Sequence, residues 1–168
     1  GLALNTRRAG LFYLMDIIMA VGTFTVYNSV AELIADGTID LDSDTFSLIL
    51  VTSSYTPNLA HDEYSDVSGV EVANANGYTT GGSVLTSVTW GQTGGVATFD
   101  SDNVVWTATG GSITARYAIL KDDTSTNDKL IGYVLLDTAP ADLTATAGNT
   151  LTVGPHVSNG WFQLTVNP

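Results

Sequence analysis

Residues 112–136 read SITARYAILKDDTSTNDKLIGYVLL, two apolar runs on either side of a polar insert. In the first run Ile113, Ala115, Tyr117 and Ile119 alternate with Thr114 and Arg116, the period-two signature of a strand with one covered face. The second run, KLIGYVLL (129–136), is apolar on both faces and is expected to be a central strand. KDDTSTND (121–128) between them has the composition of a hairpin tip, so the two runs are expected to pair.

The same grammar extends outward. TFSLILV (45–51) is a continuous apolar run suited to a buried strand. SVLTSVTW (83–90), VATFD (96–100), VVWTA (104–108), NTLTV (149–153) and GWFQLTV (160–166) are further strands, most of them divided by turns containing Gly or Asp. Seven or eight short strands argue an all-β fold, a two-sheet β-sandwich. One helix is expected in YNSVAELIADGTIDL, with Ser29 and Glu32 spaced as a capping box and Gly37 placed as its C-cap. The expected organisation is an extended N-terminal arm over residues 1–22 and a single β-sandwich domain over residues 23–168.

Composition excludes several roles. Five Lys and Arg stand against seventeen Asp and Glu, a net charge of −12, which repels nucleic acid and anionic membranes alike. There is no cysteine, hence no disulfide and no thiolate metal site. Only 13% of residues are charged, and the abundance of small neutral residues suits faces that pack against other subunits.

The first residues, GLALNTRRAGLFYLMDIIMAVG, admit two readings. Arg7 and Arg8 ahead of LFYLMDIIMA resemble a signal peptide, but Asp16 interrupts a run already shorter than the roughly 20 residues that span a bilayer. The preferred expectation is an apolar arm that lies on a neighbouring subunit, with Leu11, Phe12 and Tyr13 as contacts. A helix or strand packed on its own domain is the alternative.

Residues 52–82 form a long segment without strand pattern, the kind of loop that usually serves a function or an interaction. Five ordered blocks in and around it carry a resemblance. LVTSSYTPNLAHDEYSDV (50–67), NGYTTGGSVL (76–85), an Asp-x-Asp-x-Val-x-Trp strand (100–106), ITARYAIL (113–120) and LIGYVLLDT (130–138) together resemble a family of tailed-bacteriophage virion proteins, over roughly residues 24–137. The resemblance implies a small structural protein of the virion, with no enzymatic activity and no cofactor. Its expected role is capsid decoration, cementing the head through contacts with the major capsid protein and with copies of itself, a trimer being favoured. The alternatives are a neck- or tail-associated protein or fibre base, and a carbohydrate-binding adhesin module.

Candidate chemistry was weighed against that expectation. His61 with Ser53 or Ser54 and Asp62 or Asp66 has the residue types of a hydrolytic triad. Neighbours in one loop rarely converge on one point, however, and no G-x-S-x-G elbow is present. Asp40, Asp42 and Asp44 match the opening of a calcium loop, but Thr45 and Val51 stand where its Gly and bidentate Glu belong, so solvated turn residues are expected. His61 and His156 are metal ligands only if the fold joins them. Trp90, Trp106 and Trp161 could line a sugar platform, although Trp106 and Trp161 lie in strand patterns and are expected in the core. Tyr55, Tyr64 and Tyr78 are expected as exposed interface anchors, together with His61. Arg116 is expected to pair with a carboxylate across two strands or two subunits.

Overall fold

The computed structural model describes residues 17–18, 22–139 and 141–166. Along the chain run β1 (Ile17–Ile18), β2 (Thr25–Val26), the helix α1 (Val30–Ala35) and β3 (Phe46–Val51). After two single-turn 3-10 helices (Tyr64–Asp66 and Ser68–Val70) come β4 (Ser83–Val84), β5 (Thr89–Thr93), β6 (Val96–Asp100) and β7 (Val104–Thr107). Then follow β8 (Ile113–Ala115), β9 (Tyr117–Asp122), β10 (Leu130–Leu135), β11 (Leu143–Ala145), β12 (Thr150–Val153) and β13 (Phe162–Thr165).

The fold is all-β with one short helix. The described residues form thirteen short strands rather than seven or eight, and these divide among four sheets rather than two. The largest has the order β2-β10-β9-β3-β4, and smaller sheets run β1-β12-β7, β13-β6-β5 and β11-β8. Within them only β1 and β12 pair in parallel, Ile17 opposite Leu151 and Ile18 opposite Thr152 of the same chain. Leu11, Phe12 and Tyr13 lie outside the described residues.

The alternating run that opens the sequence argument is two strands. Its first half, β8, pairs with β11, and its second half, β9, enters the five-stranded sheet. The switch falls at Arg116, whose backbone N–H donates to the Val51 carbonyl. Beyond it Ala118 to Asp122 are all buried, so the simple in–out alternation holds only up to the switch. β9 and β10 pair as expected, with a register shift between Leu130 and Gly132. That shift lies beside a crowded point, because a Cβ on Gly132 would run into the Phe24 ring and the Thr25 carbonyl.

β3 and β9 make the centre of the molecule. All six residues of β3 are buried, and each large aliphatic among them contributes about 1.5–3 kcal/mol by leaving water. Register assigns the two faces of the sheet. Phe46, Leu48, Leu50, Ala118 and Leu120 point one way, where Phe99 of β6 meets Phe46 edge-on at 5.0 Å. Ile49, Val51, Tyr117, Ile119 and Tyr133 point the other way. On that second face Tyr55 of the long loop packs on Tyr117 at 5.3 Å and on Tyr133 at 6.0 Å.

α1 forms where expected and ends at Gly37, which takes the left-handed conformation (φ +77°) that a C-cap requires. The expected capping box is not formed. Ser29 has helical backbone angles, makes no side-chain cap bond, and is buried beside the Asp62 carboxylate.

Candidate interaction surface

The long loop is built as a layer of the core. Past the short β4, the free edge of β3 is completed by loop groups: Val72 N–H donates to the Leu50 carbonyl at 2.9 Å and Thr52 N–H to the Val70 carbonyl at 2.9 Å. The Leu50 N–H donates to the Tyr78 hydroxyl at 3.0 Å, so a side chain takes the place of a missing strand. The Tyr78 hydroxyl in turn donates to Glu71 Oε1 at 2.6 Å, Gly81 N–H donates to the same oxygen at 2.8 Å, and the Tyr64 hydroxyl donates to Oε2. Burial first, and then the Glu71 carboxylate, push both phenols well above the ordinary tyrosine range. They are permanent donors to Glu71.

This corrects the expectation of exposed tyrosine anchors. Tyr55 and Tyr78 are 4% and 2% exposed, and the Tyr55 hydroxyl is spent on a 2.8 Å bond with Tyr27. Tyr64 is half-buried, with the Lys121 ammonium 5.2 Å from its ring centre. The sequence signal that could have warned of this is absent: the three tyrosines follow no strand or helix period.

His61 does not assemble a triad. Its ring sits against Tyr55 and Tyr27, with centroids 5.9 and 6.4 Å away, and its Nδ1 is buried without a partner. Ser53 and Ser54 are exposed and make no bond to it. Asp62 is engaged by Lys129 at 2.6 Å, while Asp66 accepts the backbone N–H groups of Asp62 and Glu63. His156 stands in a separate exposed turn, where its Nδ1 accepts the Ser158 N–H. The histidines are not joined.

Lys129 fastens the loop to the β9–β10 hairpin. Its ammonium bridges Asp62 and Glu63 (2.6 and 2.9 Å), Asn127 adds a bond to Glu63, and Tyr64 N–H donates to the Asp128 carbonyl. Lys129 holds the Asp62 carboxyl below its usual range, against the opposing effect of burial. The hairpin's other lysine, Lys121, is nearly buried between Asp123 and Asp128. Burial alone would depress its pKa, and the two carboxylates outweigh burial.

The acidic turn folds back on itself and is no EF-hand. Asp40 Oδ1 accepts the Asp42 N–H at 3.0 Å and Asp44 Oδ2 accepts the Asp40 N–H at 2.7 Å. Among the described residues no three His, Cys, Asp or Glu side chains are grouped to hold a metal ion. Asp122 differs from the other hairpin acids. It is wholly buried, its Oδ1 accepts the amides of Thr124 and Ser125 (2.8 and 3.2 Å), and its Oδ2 has no partner. Burial, reinforced by the Asp44 carboxylate and opposed by those two amides, pushes its carboxyl up to about 6.

Arg116 finds its carboxylate in Asp142, Nε to Oδ1 at 2.7 Å, beside the β8–β11 pairing. Trp106 and Trp161 are buried at 5% and 4% exposure, as core residues should be, and Trp161 Nε1 donates to Ser101 Oγ at 2.9 Å. Trp90 is half-buried on β5.

The surface that sequence reasoning missed lies at the C-terminal end. Val157, Leu164 and Val166 are 96%, 61% and 71% exposed, on the turn before β13, on β13 itself and just beyond it. Among the described residues β13 is an edge strand, with β6 on one side only. Beside it a groove of about 800 Å³ runs between Phe24 and the Gly154–Gln163 segment, and none of the described residues lining it is Asp, Glu, Lys or Arg. Phe24 and Phe162 stack within it at 6.3 Å, half-buried. The available signal was the alternation of Phe162, Leu164 and Val166, which marks an apolar face but not whether anything covers it. No helix among the described residues is long and apolar enough to cross a membrane. A scan against protein-family models matches none, and searches of curated proteins and of solved structures return no match.

Proposed function

We propose that this chain is a structural protein of a tailed-bacteriophage virion, a decoration protein that cements the capsid. The observation that carries the reading is the set of exposed apolar side chains on and beside β13. On a molecule of net charge −12, identical copies repel one another, and least where charge is missing from the contact face. The exposed Val157, Leu164 and Val166 and the groove beside them provide that place. Large exposed apolar side chains gathered near one strand mark a candidate association site on a soluble protein, and symmetry multiplies each modest contact over the shell. The interior supports the same reading: the polar groups of the long loop bind one another, and His61 is bonded to neither of its serines.

Counting copies per purified particle against the major shell protein tests the proposal. Decoration requires copies on the order of hundreds, whereas a ring of about a dozen or fewer would move the protein to the neck, tail or fibre base. A glycan-binding reading draws on the half-buried Phe24 and Phe162 beside the groove. It requires the isolated chain to bind sugars and to lose that binding on Phe162→Ala.

A further inference from the structure

The acidic turn and the hairpin tip meet at a point that neither explains alone. The β3–β9 ladder pairs Phe46 with Asp122, and Asp123 N–H continues it to the Thr45 carbonyl at 2.8 Å. Asp44 stands two residues before Phe46, in the bend that leads into β3. A second bond, Thr45 N–H to Thr124 Oγ1 at 2.9 Å, pins the tip against the turn. Together these bonds hold the turn against the hairpin, and the Asp44 carboxylate lies close enough to that of Asp122 to act on it directly.

The neighbouring acids have cations. Asp123 and Asp128 share Lys121, and Asp62 and Glu63 share Lys129. Among the described residues no Lys or Arg pairs with Asp44 or Asp122. Asp44 Oδ2 is occupied by the Asp40 amide, which leaves its other oxygen free. Asp122, from a separate strand and wholly buried, directs towards it an Oδ2 with no hydrogen-bond partner. A buried carboxylate oxygen without a donor is costly, and two facing carboxylates demand a positive species between them.

We propose that Asp44 and Asp122 form a binding site for one divalent, oxygen-seeking cation of the calcium class. Two carboxylate oxygens and water make an acceptable shell for such ions, which tolerate irregular geometry and retain water ligands. Asp44 is only half-buried and gives the ion a route from solvent. The cation would tie the turn after α1 to the β9–β10 hairpin, the same hairpin that Lys129 fastens to the long loop.

The test uses the full chain, stripped with a chelator and titrated with Ca²⁺ at pH 7.5 while its melting temperature is followed. Terbium luminescence sensitised by the aromatic residues provides a second readout. A saturable rise in melting temperature with a single-site terbium signal is expected. Asp44→Asn and Asp122→Asn should each abolish both, and Asp42→Asn, an exposed neighbour in the same turn, should keep both. Two results would overturn the proposal. One is no Ca²⁺ response in the stripped protein, which leaves a shared proton as the species between the carboxylates. The other is a response equal in all three variants, which is diffuse screening of an acidic surface. Because Asp44→Asn alters a partly solvated residue, it reports even if Asp122→Asn fails to fold.

Discussion

Replacing Tyr78 with Phe removes one oxygen and tests whether the long loop is part of the core. That oxygen accepts the Leu50 N–H and donates to Glu71, both through bonds the loop supplies to the edge of β3. A buried N–H left without an acceptor costs about 1–3 kcal/mol. The lost bond to a half-buried carboxylate adds roughly 1 kcal/mol after allowing for water at Glu71. The total is about 3 kcal/mol, and at roughly 2–4 °C per kcal/mol for a chain of this size the melting temperature should fall by about 6–12 °C. Tyr64→Phe is the control: its hydroxyl bonds only Glu71 and its ring is half-buried, so roughly 1 kcal/mol should be lost. Urea denaturation gives both values, and amide exchange at Leu50 should accelerate in Tyr78→Phe alone. If the two variants are equally stable, or Leu50 stays protected, the loop is a surface appendage and the reasoning fails.

Other outcomes follow from the same contacts. Lys129→Met should cost only about 1 kcal/mol globally, because Asp62 and Glu63 are partly solvated. It should nevertheless raise amide exchange through residues 61–66, where the loop is clamped. In chelator, the raised carboxyl of Asp122 makes stability fall as pH rises through about 6. The native form holds that proton more tightly than the unfolded chain does, so the gain is complete only below the unfolded value near 4 and amounts to roughly 1–2 kcal/mol. Asp62, held down by Lys129, and Asp66, held down by the amides of Asp62 and Glu63, act oppositely and lose their contribution as pH drops below about 4. Metal-free protein should therefore be most stable between pH 4 and 6, and Asp122→Asn, whose partner Asp44 then faces an amide, should flatten the decline above pH 5 in denaturant titrations.

The strands were legible because period-two apolar patterns report a covered face directly. TFSLILV became the buried β3, and KLIGYVLL became β10. The break at Arg116 was hidden, since a strand that leaves one sheet and joins another keeps its alternation in sequence. The loop's role was hidden for a different reason. Tyr55 and Tyr78 lie on irregular backbone and Tyr64 opens a single 3-10 turn, and neither leaves a period to read. Arg116 was read as needing a carboxylate, but Asp142 stands 26 residues further on and only the β8–β11 register brings it near. Asp44 and Asp122, 78 residues apart, come together because the β3–β9 ladder pairs Phe46 with Asp122 and so brings the preceding turn to the hairpin.

The account rests on the exposed apolar side chains on and beside β13 as the point of attachment, and retention on particles measures that directly. Val157→Asp, Leu164→Asp and Val166→Asp combined place three charges on side chains already in water, so the melting temperature should stay within about 2 °C of the parent. Incubated with phage heads assembled without the native protein and then sedimented, the parent chain should pellet with the particles and the triple variant should remain in the supernatant. A triple variant that pellets as fully as the parent would contradict the account.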